Sequence, residues 1–121
     1  MAVKQSFRII FILLLTFLLF SVYGQREYKV GVVGFYNLEN VFDTLNQEDV
    51  KDEDFLPEGD YVWNTKKYYD KLSNLDRVLS EVGTDYSPDG LAVLGVSEVE
   101  NRSVLKDLIL QKRLKSRGYI I

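Results

Sequence analysis

An apolar run that ends abruptly in an amide constrains this chain more than any other stretch: Val32-Val33-Gly34-Phe35-Tyr36 leads straight into Asn37-Leu38-Glu39-Asn40. Tyr28 to Tyr36 is rich in β-branched and aromatic residues, has no proline and carries no charge after Lys29, the composition of a buried strand. In open α/β sheets ligands gather outside the carboxyl ends of strands, so Asn37 arrives where a binding group belongs. The pattern recurs where Leu91-Ala92-Val93-Leu94-Gly95-Val96 runs uncharged into Ser97-Glu98-Val99-Glu100-Asn101. Two core strands, each ending in polar residues, are expected.

Between them, Asn37 to Tyr61 has no sustained apolar period and carries the turn signal Pro57-Glu58-Gly59-Asp60, so it is expected as a long loop. From Asn64 or Thr65 to Val82 the spacing turns helical: Tyr68, Leu72, Leu75, Leu79 and Val82 form the apolar side, and Gly83 stops the helix. Lys66, Lys67, Asp70, Lys71, Asp76 and Arg77 are expected to meet water, and Trp63 to cover the sheet. After the second strand, Ser103 can cap a helix from Val104 to about Ser116, whose basic last turns suit the helix dipole. Gly118 ends it, and Tyr119-Ile120-Ile121 opens what reads as a third strand. An apolar strand lacking partners is an edge that folded proteins avoid, so the chain is expected to be the front part of something longer.

The start of the chain follows a different logic. Lys4 and Arg8 precede the apolar run Ile9 to Phe20, and Val22 and Gly24 are the small residues of a cleavage site. This is the three-part pattern of a secretory signal peptide over residues 1–24, shorter than the roughly 20 apolar residues of a membrane span. The alternative is a retained membrane anchor. Removing the two charges of the signal takes the formal net charge from −3 to −5 for residues 25–121. Eight acids lie between Asp43 and Asp60 against Lys51 alone, and six bases between Arg102 and Arg117 against Asp107 alone. Such runs are commonly solvated surfaces, so net charge decides nothing about nucleic acid.

With no histidine and no cysteine, Ser-His-Asp and Cys-His nucleophilic catalysis, zinc sites of the usual composition and disulfides are all excluded. Hard-cation chemistry remains, since magnesium and calcium take carboxylate and amide oxygens. Glu98 and Asn37 are the right types for such a site, although strand-end residues of these types also serve as ordinary turn and cap groups. Gly31 and Gly34 do not form a dinucleotide-binding motif, and no phosphate-loop lysine follows them. The acidic loop offers further ligands or a plain solvated excursion, and Glu100 either a supporting role or a surface position at the helix start.

Phe35-Tyr36-Asn37-Leu38-Glu39-Asn40-Val41-Phe42-Asp43-Thr44, then Trp63 with Lys67-Tyr68-Tyr69-Asp70-Lys71-Leu72-Ser73-Asn74-Leu75, then Gly95-Val96-Ser97-Glu98-Val99-Glu100-Asn101 together resemble the opening of an exported bacterial member of the endonuclease/exonuclease/phosphatase superfamily, the deoxyribonuclease-I-like group. The resemblance implies that residues 25–121 are the amino-terminal part of a four-layer α/β sandwich, with two packed β-sheets flanked by helices. The β-α-β-α-β order alone would give a doubly wound parallel sheet. The resemblance assigns Glu98 the role of metal ligand, for Mg2+ or another divalent cation such as Mn2+ or Ca2+, and Asn37 a catalytic role organising the metal and phosphate site. The implied reaction is metal-assisted hydrolysis of a phosphate ester on DNA, RNA, phospholipid or inositol phosphate, supported by a histidine paired with an aspartate. Those later motifs have no counterpart here. The expectation is therefore the amino-terminal segment of a metal-dependent phosphoesterase or nuclease, inactive without the remaining half of its domain, or else a truncated, non-enzymatic exported binding module.

Overall fold

The computed structural model describes residues 2–20, 27–48 and 50–121. The expected cleavage site at Val22 and Gly24 lies outside the described residues, as does Asp49. Helix α1 spans Ala2–Phe20, strand β1 Val32–Val41, helix α2 Thr65–Glu81, strand β2 Leu91–Val99 and helix α3 Arg102–Ile109. Short 3-10 turns occupy Glu53–Phe55 and Leu114–Arg117. Among the described residues no helix is long and apolar enough to cross a membrane. Phe7, Ile10 and Phe11 of α1 are exposed and take no part in the core.

β1 and β2 pair in parallel, with α2 lying between them in sequence, so β1-α2-β2 is one crossover unit. The fold is α/β, with three helices and one two-stranded parallel sheet among the described residues, an arrangement compatible with an incomplete domain of the expected kind. Side chains alternate between the sheet's two faces as the pleat requires. Tyr36, Leu94 and Val96 face a core of Leu38, Val41, Tyr68, Leu72, Leu75, Leu79, Val104, Leu108 and Leu114. The other face is open: Val33, Phe35 and Val93 are 73%, 72% and 57% exposed.

α2 forms where the apolar spacing placed it. The Asn64 side chain accepts from the Lys67 amide at 3.1 Å and caps its start. Its end lies just before Gly83, whose φ of 81° disfavours any residue with a Cβ. Burying Leu72 and Leu79 contributes roughly 1.5–3 kcal/mol each. Val82 is 37% exposed and falls outside the apolar stripe.

Four expectations change. Asp76 is only 2% exposed rather than solvated. Its Oδ1 accepts from the amides of Leu114 and Arg113 at 2.8 and 3.0 Å, and its Oδ2 from Arg113 Nη1 at 3.2 Å. That capture turns the chain and explains the second change: the helix expected to reach Ser116 ends at Ile109, and Leu114–Arg117 forms a separate 3-10 turn. Third, α3 is capped by Asn101, whose Oδ1 accepts from Val104 N at 3.0 Å, and not by Ser103. Finally, Tyr119 to Ile121 forms no strand, because Tyr119 reaches β2 with its hydroxyl, donating to the Leu91 carbonyl at 2.6 Å, instead of with its backbone.

Candidate functional site

The site begins where the ladder between β1 and β2 breaks. Asn37 pairs with Ser97, but the next pair is Val41 with Val99, so four steps along β1 match two along β2. The bulge is accommodated by left-handed backbone at Glu39 and Asn40, with φ of 57° and 58°. Asn37 Oδ1 accepts from the Glu39 amide at 2.7 Å, the local bond by which asparagine stabilises a turn. Lys71 Nζ, from α2, donates to the Glu39 carbonyl at 2.7 Å and holds the bulge from outside. Asn37 thus lies within β1, at its bulge, and not beyond the end of a shorter strand.

Asn37 Nδ2 donates to Glu98 Oε1 at 2.7 Å, joining side chains separated by 61 positions in sequence. Both are exposed. Glu98 has a φ of 55° within β2, a conformation that is unfavourable for a residue with a Cβ. Such strain costs on the order of 1 kcal/mol or more and concentrates at functional positions. Three of the four non-glycine residues with positive φ among the described residues, Glu39, Asn40 and Glu98, lie at this corner.

Behind the corner, a polar network fixes the start of the acidic segment. Glu100 Oε2 accepts from the Asp43 amide at 2.8 Å, Asn101 Nδ2 donates to Asp43 Oδ2 at 3.2 Å, and Asp43 Oδ1 accepts from Leu45 N at 2.7 Å. Asp52 is 2% exposed and accepts from Gln47 N at 3.1 Å. Asp52 Oδ1 and Glu100 Oε1 are buried with no N–H or O–H donor. Burial raises the Glu100 carboxyl above the usual carboxylate range, opposed by the Asp43 amide and reinforced by the charges of Asp43 and Asp52. The segment after β1 is therefore anchored inward at Asp43 and Asp52, while Glu48, Glu53, Asp54, Glu58 and Asp60 are exposed, as a solvated excursion would have them. Glu100 is half-buried rather than a surface residue.

Asn37 and Glu98 are brought together, whereas Asp43, Glu100 and Asn101 form a separate network that fixes the segment after β1 and the start of α3. Among the described residues no group of three or more His, Cys, Asp or Glu is assembled to hold a metal. The donor set is instead one exposed carboxylate, with an amide clamping one of its oxygens. That fits a magnesium-type ion, which is commonly bound through one or two carboxylates with water and substrate phosphate completing its octahedron.

Lys67, Lys71, Phe55 and Tyr61 were not singled out as site residues by sequence. The helical period assigns both lysines to the wet face of α2, but their i, i+4 spacing places them side by side. Together with Trp63 they border a groove of about 410 Å3 beside the bulge. Trp63, expected to cover the sheet, packs half-buried against the core with its Nε1 donating to the Phe42 carbonyl at 2.9 Å. The three arginines of the basic run are engaged structurally: Arg113 meets Asp76, Arg117 donates to the Pro88 and Ser80 carbonyls, and Arg102 reaches Ile121 O.

No curated protein and no solved structure matches the chain significantly. A family model described as the endonuclease/exonuclease/phosphatase family matches residues 32–121. The match starts at the first residue of β1 and takes in the bulge, the crossover helix and the strand that carries Glu98, and on that evidence this chain belongs to the endonuclease/exonuclease/phosphatase family.

Proposed function

We propose that this chain is the amino-terminal segment of a divalent-metal-dependent phosphoesterase or nuclease, with Glu98 as the metal ligand and Asn37 as the group that orients it. Family membership supports a phosphate-ester hydrolase of generally metal-dependent kind. The observation that carries the assignment is the 2.7 Å bond from Asn37 Nδ2 to Glu98 Oε1, at a corner where Glu39, Asn40 and Glu98 all take positive φ.

A bound divalent cation, Mg2+ in this proposal, stabilises charge on phosphate oxygens during hydrolysis. Glu98 would hold it through the carboxylate oxygen that Asn37 leaves open. Asn37 fixes the carboxylate with one amide N–H and retains a second for a phosphate oxygen. Proton transfer at the attacking water needs a further group, and the chain contains no histidine to supply one. These residues alone are therefore expected to bind metal and substrate without turnover. That absence also favours a second reading, an exported binding module with no reaction of its own.

The same proposal gives the open face of Val33, Phe35 and Val93 a partner: the second sheet of a four-layer α/β sandwich packs there. Lys4 and Arg8 ahead of the apolar run Ile9 to Phe20 support export, with residues 1–24 as a signal peptide. The metal site is tested by calorimetric titration of the full chain with Mn2+ and Mg2+. Glu98→Gln, which keeps the shape and removes the charge, is expected to weaken binding at least about tenfold, a loss near 1.4 kcal/mol. Equal affinity of the two proteins would remove Glu98 from the site.

A further inference from the structure

Resting on the phosphoesterase reading, we propose that the groove between the 53–63 turn and α2 is a subsite for one unpaired nucleobase and its phosphate, which makes the substrate a single-stranded or locally unpaired nucleic acid. The groove, about 410 Å3, is lined by Phe55, Tyr61, Trp63, Lys67, Lys71 and the bulge residues Glu39 and Asn40. That volume lies within the roughly 300–1,000 Å3 of small-ligand sites. It adjoins the Asn37 corner, since Lys71 and Glu39 also line a neighbouring depression of about 220 Å3 that contains Asn37.

Its aromatic wall is built in advance. Phe55 stacks on Phe42 with ring centroids 4.2 Å apart, Tyr61 lies against Phe55 at 4.8 Å, and Trp63 meets Phe55 edge-on at 6.2 Å. Tyr61 nevertheless stays 56% exposed. An exposed ring braced, at a 40° tilt, by a stacked aromatic pair is a platform to which one more flat ring adds, and stacking on such platforms accepts any base. A base paired within a duplex is already stacked and does not present its face, so the platform selects unpaired bases.

The cationic side is equally prepared. Lys67 Nζ donates to the Tyr61 carbonyl at 2.8 Å and Lys71 Nζ to the Glu39 carbonyl at 2.7 Å. Carbonyl acceptors orient an ammonium without cancelling its charge, and each lysine keeps two further N–H donors. Lys66, by contrast, is neutralised by Asp70 at 2.6 Å. Glu39, which also lines the groove, offers an acceptor to exocyclic amino groups of a base.

The test uses the full chain with EDTA present, so binding is read without hydrolysis, and follows emission of Trp63, the single tryptophan of the sequence. An oligothymidylate of about ten nucleotides, within the ~4–16-nucleotide range of single-strand sites, is compared with an abasic strand of equal length. Quenching by the oligothymidylate with at least about tenfold weaker abasic binding is expected, as is an about tenfold loss in Tyr61→Ala that Tyr61→Phe restores. Lys71→Gln should lower the slope of log K against log salt by roughly 0.7. Equal binding of the abasic strand, equal quenching by anionic phospholipid vesicles, or a Tyr61→Ala protein that binds normally would overturn the proposal. Should Tyr61→Ala fail to fold, the abasic comparison and Lys71→Gln decide. Base-dependent binding in EDTA stands or falls separately from the cation titration that tests Glu98.

Discussion

Replacing Asp76 by alanine should be the most damaging single change in the α2 and α3 core. The carboxylate is 2% exposed and accepts from two backbone amides, Arg113 N and Leu114 N, at 3.0 and 2.8 Å through one oxygen. Removing it leaves both donors without their acceptor, at about 1–3 kcal/mol each. The ion pair to Arg113 adds little, because that guanidinium is half exposed and solvent screens it. The expected loss for Asp76→Ala is about 3–5 kcal/mol, a large share of the ~5–15 kcal/mol typical of a whole domain. Asp76→Asn, which keeps an acceptor oxygen but not the charge, should lose only about 1–2 kcal/mol. Urea unfolding followed by Trp63 emission measures both, and with a slope near 1–3 kcal/mol per molar the alanine variant's midpoint should fall by about 2 M. An alanine variant within about 1 kcal/mol of the parent, or an asparagine variant equally damaged, would refute the role given to the two amides.

Alkaline pH and export supply two further checks. The Tyr68 hydroxyl donates to Asp107 Oδ2 at 2.9 Å, and burial, that bond and the neighbouring carboxylates raise its ionisation well above the usual 10.0. Because the folded value exceeds the unfolded one, Tyr68 contributes stability that is present below about pH 10 and lost as pH rises further. Urea midpoints of Tyr68→Phe should therefore fall less steeply than those of the parent above that pH, and an equal or steeper fall would contradict the assignment. Mass measurement of the exported product should give an amino terminus near Gln25; an intact Met1 would leave residues 1–24 as a retained segment.

Much of the site was legible because it depends on local contrast. Asn37 and Glu98 each follow an apolar run, and no long-range information is needed to see that the chain changes character there. Their bulge was less visible, since a register shift of two residues is a property of the pair of strands and not of either alone. Asp76 could have been found: it is four residues after Leu72 and three before Leu79, so the period that marks the buried stripe includes it. Its charge argued the other way, and only the two amides arriving from Arg113 and Leu114 make its burial tolerable. The aromatic block had no such signal. Phe42, Phe55, Tyr61 and Trp63 are spaced without period, and turn hydrogen bonds such as Tyr61 N to Asp54 O bring the last three together. Gly59 permits that turn, because a Cβ there would lie 2.1 Å from the Glu53 carbonyl oxygen.

The fate of the acidic residues separates structure from function most sharply. Asp43, Asp52 and Glu100 face one another in the polar network, where Asp43 and Glu100 accept backbone amides and burial disfavours the charge on Glu100. These groups hold the segment after β1, and the two oxygens they leave without an N–H or O–H donor, Asp52 Oδ1 and Glu100 Oε1, are buried. Glu98 is the opposite case: it is exposed, one oxygen is clamped by Asn37, and its backbone lies at a φ of 55° that glycine would adopt at lower cost. A glycine there would relieve the strain while preserving the strand, so packing alone gives no reason for a carboxylate. What the glutamate adds is a negative charge at the break in the ladder, with one oxygen held by Asn37. Strain carried by a charged residue in that place is what the cation-binding role proposed for Glu98 would require, beyond the bond to Asn37 by which it ties β2 to β1.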